Sequence, residues 1–275
     1  MKQINTSTTS GRQRQRISRI IHAFALILAC FLLQTSLSAD YIRPSHVPEE
    51  IWDKLSPYFL PEDSSIKPVL DETFSKRRVL QSLYSLRKSG FFILTDPKDK
   101  IIVAKHINIH GYLIKVYLDG MKGDEWDCWL RRVRGSKVIQ DGINLHGYQW
   151  IMKVPKKWVY PLPEGPRAKT EINEKNFVLV VEEMDILSHI KNRSAYKKKV
   201  TLEVLRALYT MLTEYLLIDS VYADNTTFCK DGRLAFVDTE YTGDTTQPVG
   251  LSAIGQYLNR EMLALWEQFL VHGLQ

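Results

Sequence analysis

The period at which apolar residues recur changes along this chain, and those changes limit its architecture more than any other feature. Short β-rich runs at residues 91–95 and 101–104 flank Asp96-Pro97-Lys98-Asp99, a hairpin signal. Residues 112–118 follow Gly111 and alternate strictly, with Ile114, Val116 and Leu118 on one face and Leu113, Lys115 and Tyr117 on the other. Residues 126–145 read as a helix weakened by Gly135 and Gly142. Two further strands are expected at 149–154 and 177–181, joined by a Pro-rich loop at 160–167. From Tyr196 the texture becomes helical: Val200, Val204, Leu205, Leu208, Met211, Leu212, Tyr215 and Leu216 make one wide apolar stripe. A hairpin and a last helix over about 252–270 complete the pattern. Strands first and helices later predict an α+β fold, sheet-rich to residue 181 and helical from 182 to 275.

Residues 40–90 lead into that pattern. Pro44, Pro48, Pro57, Pro61 and Pro68 punctuate an irregular stretch that is expected to pack on the domain. One helix should follow, opened by Asp71 or Thr73, carrying Val79, Leu80, Leu83 and Leu86, and ending at Gly90.

The formal net charge of +6 suggests a nucleic-acid partner only until it is located. Of the 37 Lys and Arg residues, five lie in residues 1–39, which hold no acid, so the remainder sets 32 bases against 31 acids. No nucleic-acid partner is implied. The same segment has a basic start, an apolar run at 20–33 and a small-residue end at Ser38-Ala39, the order of a secretory signal peptide. The expectation is an exported protein, periplasmic or secreted, with no stable membrane span if residues 1–39 are removed. The alternative is a membrane anchor at 20–39. Cys128 and Cys229 could pair in an oxidising compartment but form no motif, and no Cys/His cluster points to zinc.

One segment carries chemistry. Asn225 follows the long apolar stripe, a turn comes at Asp231-Gly232, and the run Leu234 to Val237 delivers Asp238 at its end. An amide and a carboxylate joined by a tight hairpin can grip a divalent cation through hard oxygens. Arg131, Arg132, Arg134 and Lys137 could meet an anion, although a charged helix face is usually solvated.

Taken together, these elements resemble the protein-kinase-like superfamily in a divergent form: a two-lobed fold with a strand-rich N-lobe (91–181) and a short helical C-lobe (182–275). Lys115, in Tyr-Leu-Ile-Lys-Val-Tyr-Leu, resembles the phosphate-pairing lysine of the third strand. Residues 178–181 running into Glu182-Glu183-Met184 look like the fifth strand and hinge, which implies that Glu182 and Met184 meet an adenine. Asn225 and Asp238 resemble the two metal ligands, and Asp238-Thr239-Glu240 stands where the family has Asp-Phe-Gly. The resemblance implies a protein that binds ATP and Mg between its lobes, with Asp219 as general base for phosphoryl transfer to an unidentified acceptor or protein partner. The departures are specific. Ser220 occupies the position of the family's catalytic Asp, no Gly-rich loop covers the phosphates, and no well-centred Glu follows the third strand. They motivate the alternative of a catalytically inactive, pseudokinase-type binding or scaffolding module.

Overall fold

Alternation in residues 112–118 produces the central strand of a five-stranded antiparallel sheet. A computed structural model describes residues 41–95, 100–168, 173–243 and 249–274. The expected export segment, residues 1–39, and the Asp96-Pro97 turn lie outside the described residues. The sheet consists of β1 (Phe91–Ile93), β2 (Ile102–His106), β3 (Tyr112–Val116), β5 (Lys157–Pro161) and β6 (Phe177–Glu182). Their order is β1-β2-β3-β6-β5. The remaining strands, β4 (Met152–Lys153), β7 (Thr226–Phe228) and β8 (Leu234–Phe236), form a second, three-stranded sheet in which β4 pairs parallel to β8. The fold is α+β.

Both faces of the large sheet are covered. Residues 41–88, expected to be an irregular lead-in and one helix, instead form α1 (Glu49–Leu55), α2 (Lys67–Ser75) and α3 (Leu83–Lys88) with two 3-10 turns. Leu70, Phe74, Leu80 and Leu86 from this segment pack on Ile114 and Val116, the apolar face read from the alternation. The single expected helix breaks because Ser82 is extended (φ −164°), and its Oγ accepts the Ser85 N–H at 3.1 Å to start α3 anew. The lead-in also closes a sheet edge, since the Leu60 N–H donates to Val159 O at 2.9 Å.

The opposite face is covered by α4 (Glu125–Leu145), where Trp129, Leu130 and Val133 pack with Leu179 and Val181. Gly135 and Gly142 do not weaken this helix; they let neighbours approach it. A Cβ on Gly135 would stand 1.9 Å from Thr239 O, and one on Gly142 would stand 2.6 Å from the Tyr215 ring. Two other expectations change. The strand at 149–154 shrinks to β4 and joins the small sheet, and the edge strand is β5, part of which read as Pro-rich loop. Pro161 is tolerated there because β5 lies at the edge and needs fewer donors.

The helical stripe from Tyr196 is two helices, α5 (His189–Lys199) and α6 (Leu202–Glu214). They are separated at Val200-Thr201, where Thr201 Oγ1 caps α6 by accepting the Val204 N–H. The last helix, α7 (Arg260–His272), starts at its Asn259 cap after a 3-10 turn over Leu251–Tyr257. These helices pack with the small sheet and with Ile139 and Ile143 of α4. The described residues form one compact unit. Among the described residues, no helix is long and apolar enough to cross a membrane.

Candidate functional site

The seam where α4 meets both sheets gathers most of the charged groups singled out in the sequence. Lys115 shares its strand face with Leu113 and Tyr117 and therefore points towards α4. Burial, then the nearby Arg132 charge, pushes its ammonium down to about 8, with Asp238 and Glu240 acting in the opposite direction. Asp238 is burdened by burial, yet Arg132, Lys115 and Lys157 hold its carboxyl below the ordinary aspartate range. Asp219 is raised, first by burial and then by Asp238 and Glu240, so these three acids share one field.

Arg132 organises the seam. Its side chain is only 6% exposed. It reaches Asp238 Oδ1 through Nη1 and Glu240 Oε2 through Nη2, both at 2.7 Å. Arg131 takes the other Glu240 oxygen at 2.8 Å. The Asp238–Glu240 turn is thus clamped on α4 by a fork of charge-assisted hydrogen bonds. From the β5 side, buried Lys157 donates to Thr239 Oγ1 at 2.7 Å and to Val237 O at 3.1 Å. The Thr239 hydroxyl in turn donates to Arg132 O at 2.6 Å. Burial, with Lys115 and Arg132 nearby, drives the Lys157 ammonium well below the ordinary lysine value.

Asn225 lies next to this cluster but is turned to the backbone. Its Nδ2 donates to Asp219 O at 2.9 Å, and its own carbonyl accepts the Val237 N–H at 2.9 Å. The residue therefore ties the Asp219 turn to the strand that delivers Asp238. Ser220 is buried, and its carbonyl accepts from Thr226 Oγ1 at 2.7 Å. Glu182 and Met184 do not join the group. Lys115 sits opposite Leu179, three residues before Glu182, a distance of about 10 Å along the strand. The Glu182 carboxylate accepts the Lys156 N–H at 3.2 Å. Glu183 donates its N–H to Gly111 O, and Asp185, at φ 50°, turns the chain towards the small sheet. Beside Glu240 and Tyr241 a cavity of about 470 Å³ opens, with Arg131 and Arg134 on its wall.

Of the groups that the resemblance assigns to a divalent cation, Asp238 accepts from Arg132 and from the Glu240 N–H through Oδ1, and Asn225 is bonded to Asp219 O through its Nδ2 and not through its side-chain oxygen. Among the described residues, no group of three or more His, Cys, Asp or Glu is arranged to hold a metal ion. Cys128 and Cys229 are separate, buried free thiols, the first accepting from Arg132 Nε at 3.4 Å.

Lys157 is the functional candidate that reading the sequence passed over, and Arg132 was named there only as part of a charged helix face that is usually solvated. Arg132 carried a legible signal: it lies three residues after Trp129 and four before Ser136, on the stripe that α4 buries. Lys157 carried none, because its strand was hidden between Pro155 and Pro161. No family model matches the chain, and no curated protein matches its sequence.

Proposed function

We propose that this protein is a kinase-like nucleotide-binding module of the pseudokinase type, which binds the polyphosphate of a nucleotide at the seam between sheet and helices. The observation that carries this reading is the convergence of Lys115, Lys157 and Arg132 around Asp238. Arg132 is paired with Asp238 and Glu240, while Lys115 and Lys157 are desolvated beside them, and desolvated ammonium groups favour an anionic ligand. The end of β6 at Glu182 lies about 10 Å from Lys115, a separation suited to a base at one end and phosphates at the other. The helix that follows β3 offers no well-centred Glu to Lys115, and Ser220 stands where the resemblance expects a catalytic Asp. Both favour binding over turnover.

A second reading, phosphoryl transfer with Asp219 as general base, draws on one observation. The carboxyl of Asp219 is raised by burial and by Asp238, the direction a base needs to work near neutral pH. One experiment addresses both readings. ATP at one hundred times its dissociation constant should stabilise the full-length protein by about 2.7 kcal/mol in thermal unfolding, and Lys115→Met should abolish the shift. The same samples, given γ-labelled ATP, should release no label and transfer none. An absent shift sinks the nucleotide reading; label transfer that Asp219→Asn removes would establish the second.

A further inference from the structure

Helix α5 concentrates charge that the rest of the molecule does not share. It carries Lys191, Arg193, Lys197, Lys198 and Lys199 and no acid, whereas residues 40–275 without it hold 27 bases against 31 acids. On α1, α2 and α4, charged residues find a partner one turn away, as in Glu50–Lys54, Lys67–Asp71, Asp127–Arg131 and Lys137–Asp141. Among the described residues, no ion pair takes any of the five cations of α5, and Asp224 meets His189 Nδ1 instead, at 2.7 Å. The last-turn lysines suit the helix dipole, but Lys191 in the first turn opposes it, so helix stability does not account for the set. Asn192, Ala195 and Tyr196 face the core, which turns Ile190, Arg193, Ser194 and Lys197 outward in one row, with Lys191 and Lys198 beside it. Ile190 is 81% exposed on that basic face. The face is fixed in place: Arg193 lies over the Tyr257 ring at 5.8 Å, and Lys197 O accepts from Asn259 Nδ2 at 3.0 Å.

We propose that this face docks on an anionic lipid bilayer. Phospholipid headgroups supply the negative charge that the helix lacks, and a flat array of them matches a convex helix face about 16 Å long. Ile190 enters the boundary between headgroups and acyl chains, an environment that a soluble polyanion does not offer. A basic row with an aliphatic side chain at its centre belongs to helices that lie in the plane of a membrane surface. Nucleic acid fits the face less well, because none of its outward side chains is aromatic and able to stack on a base. The proposal does not depend on the nucleotide reading, since none of these side chains belongs to the seam around Asp238.

The test is co-sedimentation of the full-length protein with vesicles of phosphatidylcholine alone, and of phosphatidylcholine and phosphatidylglycerol in equal amounts. The partition coefficient should be at least about a hundredfold larger on the mixed vesicles. The gain should vanish near about 1 M salt, where the screening length falls to about 3 Å. Lys191→Gln, Lys197→Gln and Lys198→Gln together should lower binding to the mixed vesicles by about a hundredfold, and Ile190→Ser by at least about threefold. Lys54→Gln, Lys76→Gln and Lys137→Gln together remove the same charge elsewhere and should change binding by less than about threefold. All six lysines are exposed, so both triple variants should fold, which circular dichroism checks. Equal binding to the two kinds of vesicle, or equal losses from the two triple variants, would overturn the proposal. Binding to duplex DNA with none to vesicles would overturn it in favour of a nucleic acid. Wild-type binding by Ile190→Ser would also overturn it, because the bilayer interior would then have no part.

Discussion

Lys115 is held in a place that opposes its own charge, and this has a measurable sign. Its folded value of about 8 lies below the ordinary 10.5, so between those pH values the unfolded chain binds more protons than the folded one. Stability therefore rises with pH across that window, and below it the protonated lysine works against folding. Lys115→Met removes this penalty while retaining an apolar stem against Leu113 and Tyr117. The variant should be about 1–3 kcal/mol more stable than wild type in urea at pH 7, and the gap should close towards pH 10. A less stable variant at pH 7 would mean that the ammonium makes favourable contacts outweighing its desolvation. Arg132 behaves in the opposite way. Its charge is paired with the half-buried Asp238 and Glu240, so Arg132→Ala would leave Asp238 without its guanidinium and Glu240 with Arg131 alone, a loss of about 2–3 kcal/mol in urea denaturation.

At the level of elements, α4 decides how close the Asp238–Glu240 turn can come to the large sheet, and Gly135 decides how close it can come to α4. Two effects compete in Gly135→Ala. Helix propensity favours alanine by about 1 kcal/mol, whereas the new Cβ would overlap Thr239 O at 1.9 Å, a backbone atom with no rotamer to yield. Overlap wins. The expected loss is about 3 kcal/mol, or roughly 6–12 °C in Tm, with ATP binding lost as the Arg132 fork is pushed apart. A melting point at or above wild type would show that the turn can move away at little cost.

The same element shows what a sequence can and cannot disclose. The helical period of residues 126–145 and the alternation of 112–118 were both legible, because each is written in which residues are apolar. The face on which Lys115 lies followed from the same alternation. What Gly135 does was not legible: a glycine in a helix reads as a weak point until the partner pressed against it is known. Arg132 was read as surface because its neighbours Arg131 and Arg134 are exposed, although its register with Trp129 and Ser136 already placed it on the buried side.

For the molecule as a whole, the N-terminal helices are part of the core and not an appendage. Leu70, Phe74, Leu80 and Leu86 cover the sheet face that carries Ile114, Val116, Val178 and Val180. A chain lacking residues 41–88 would expose that face, a contiguous apolar surface of the kind that drives aggregation. It should elute in the void volume in size-exclusion chromatography and show no cooperative melt; a monomeric, cooperatively melting product would show that the layer is dispensable. That the segment packs on the domain was expected from the sequence; which sheet face it covers was not legible. Five prolines made the segment look irregular, and only the sheet it covers gives its scattered apolar residues a common direction. The order of strands and helices was legible because period alone sets it. The partners of β4 and β5 were not, since pairing is decided by residues far apart in the chain.

Helix α4 places Trp129 and Val133 in the apolar cluster of the large sheet, and Ile139 and Ile143 in the cluster of the C-terminal helices. Its 21 residues span about 30 Å. A beam anchored in two cores resists the bending that a clamshell motion about residues 183–187 would demand. The seam between the large sheet and the C-terminal helices is therefore held at one width, and a nucleotide bound there as proposed would meet a rigid mould with little chain entropy left to lose.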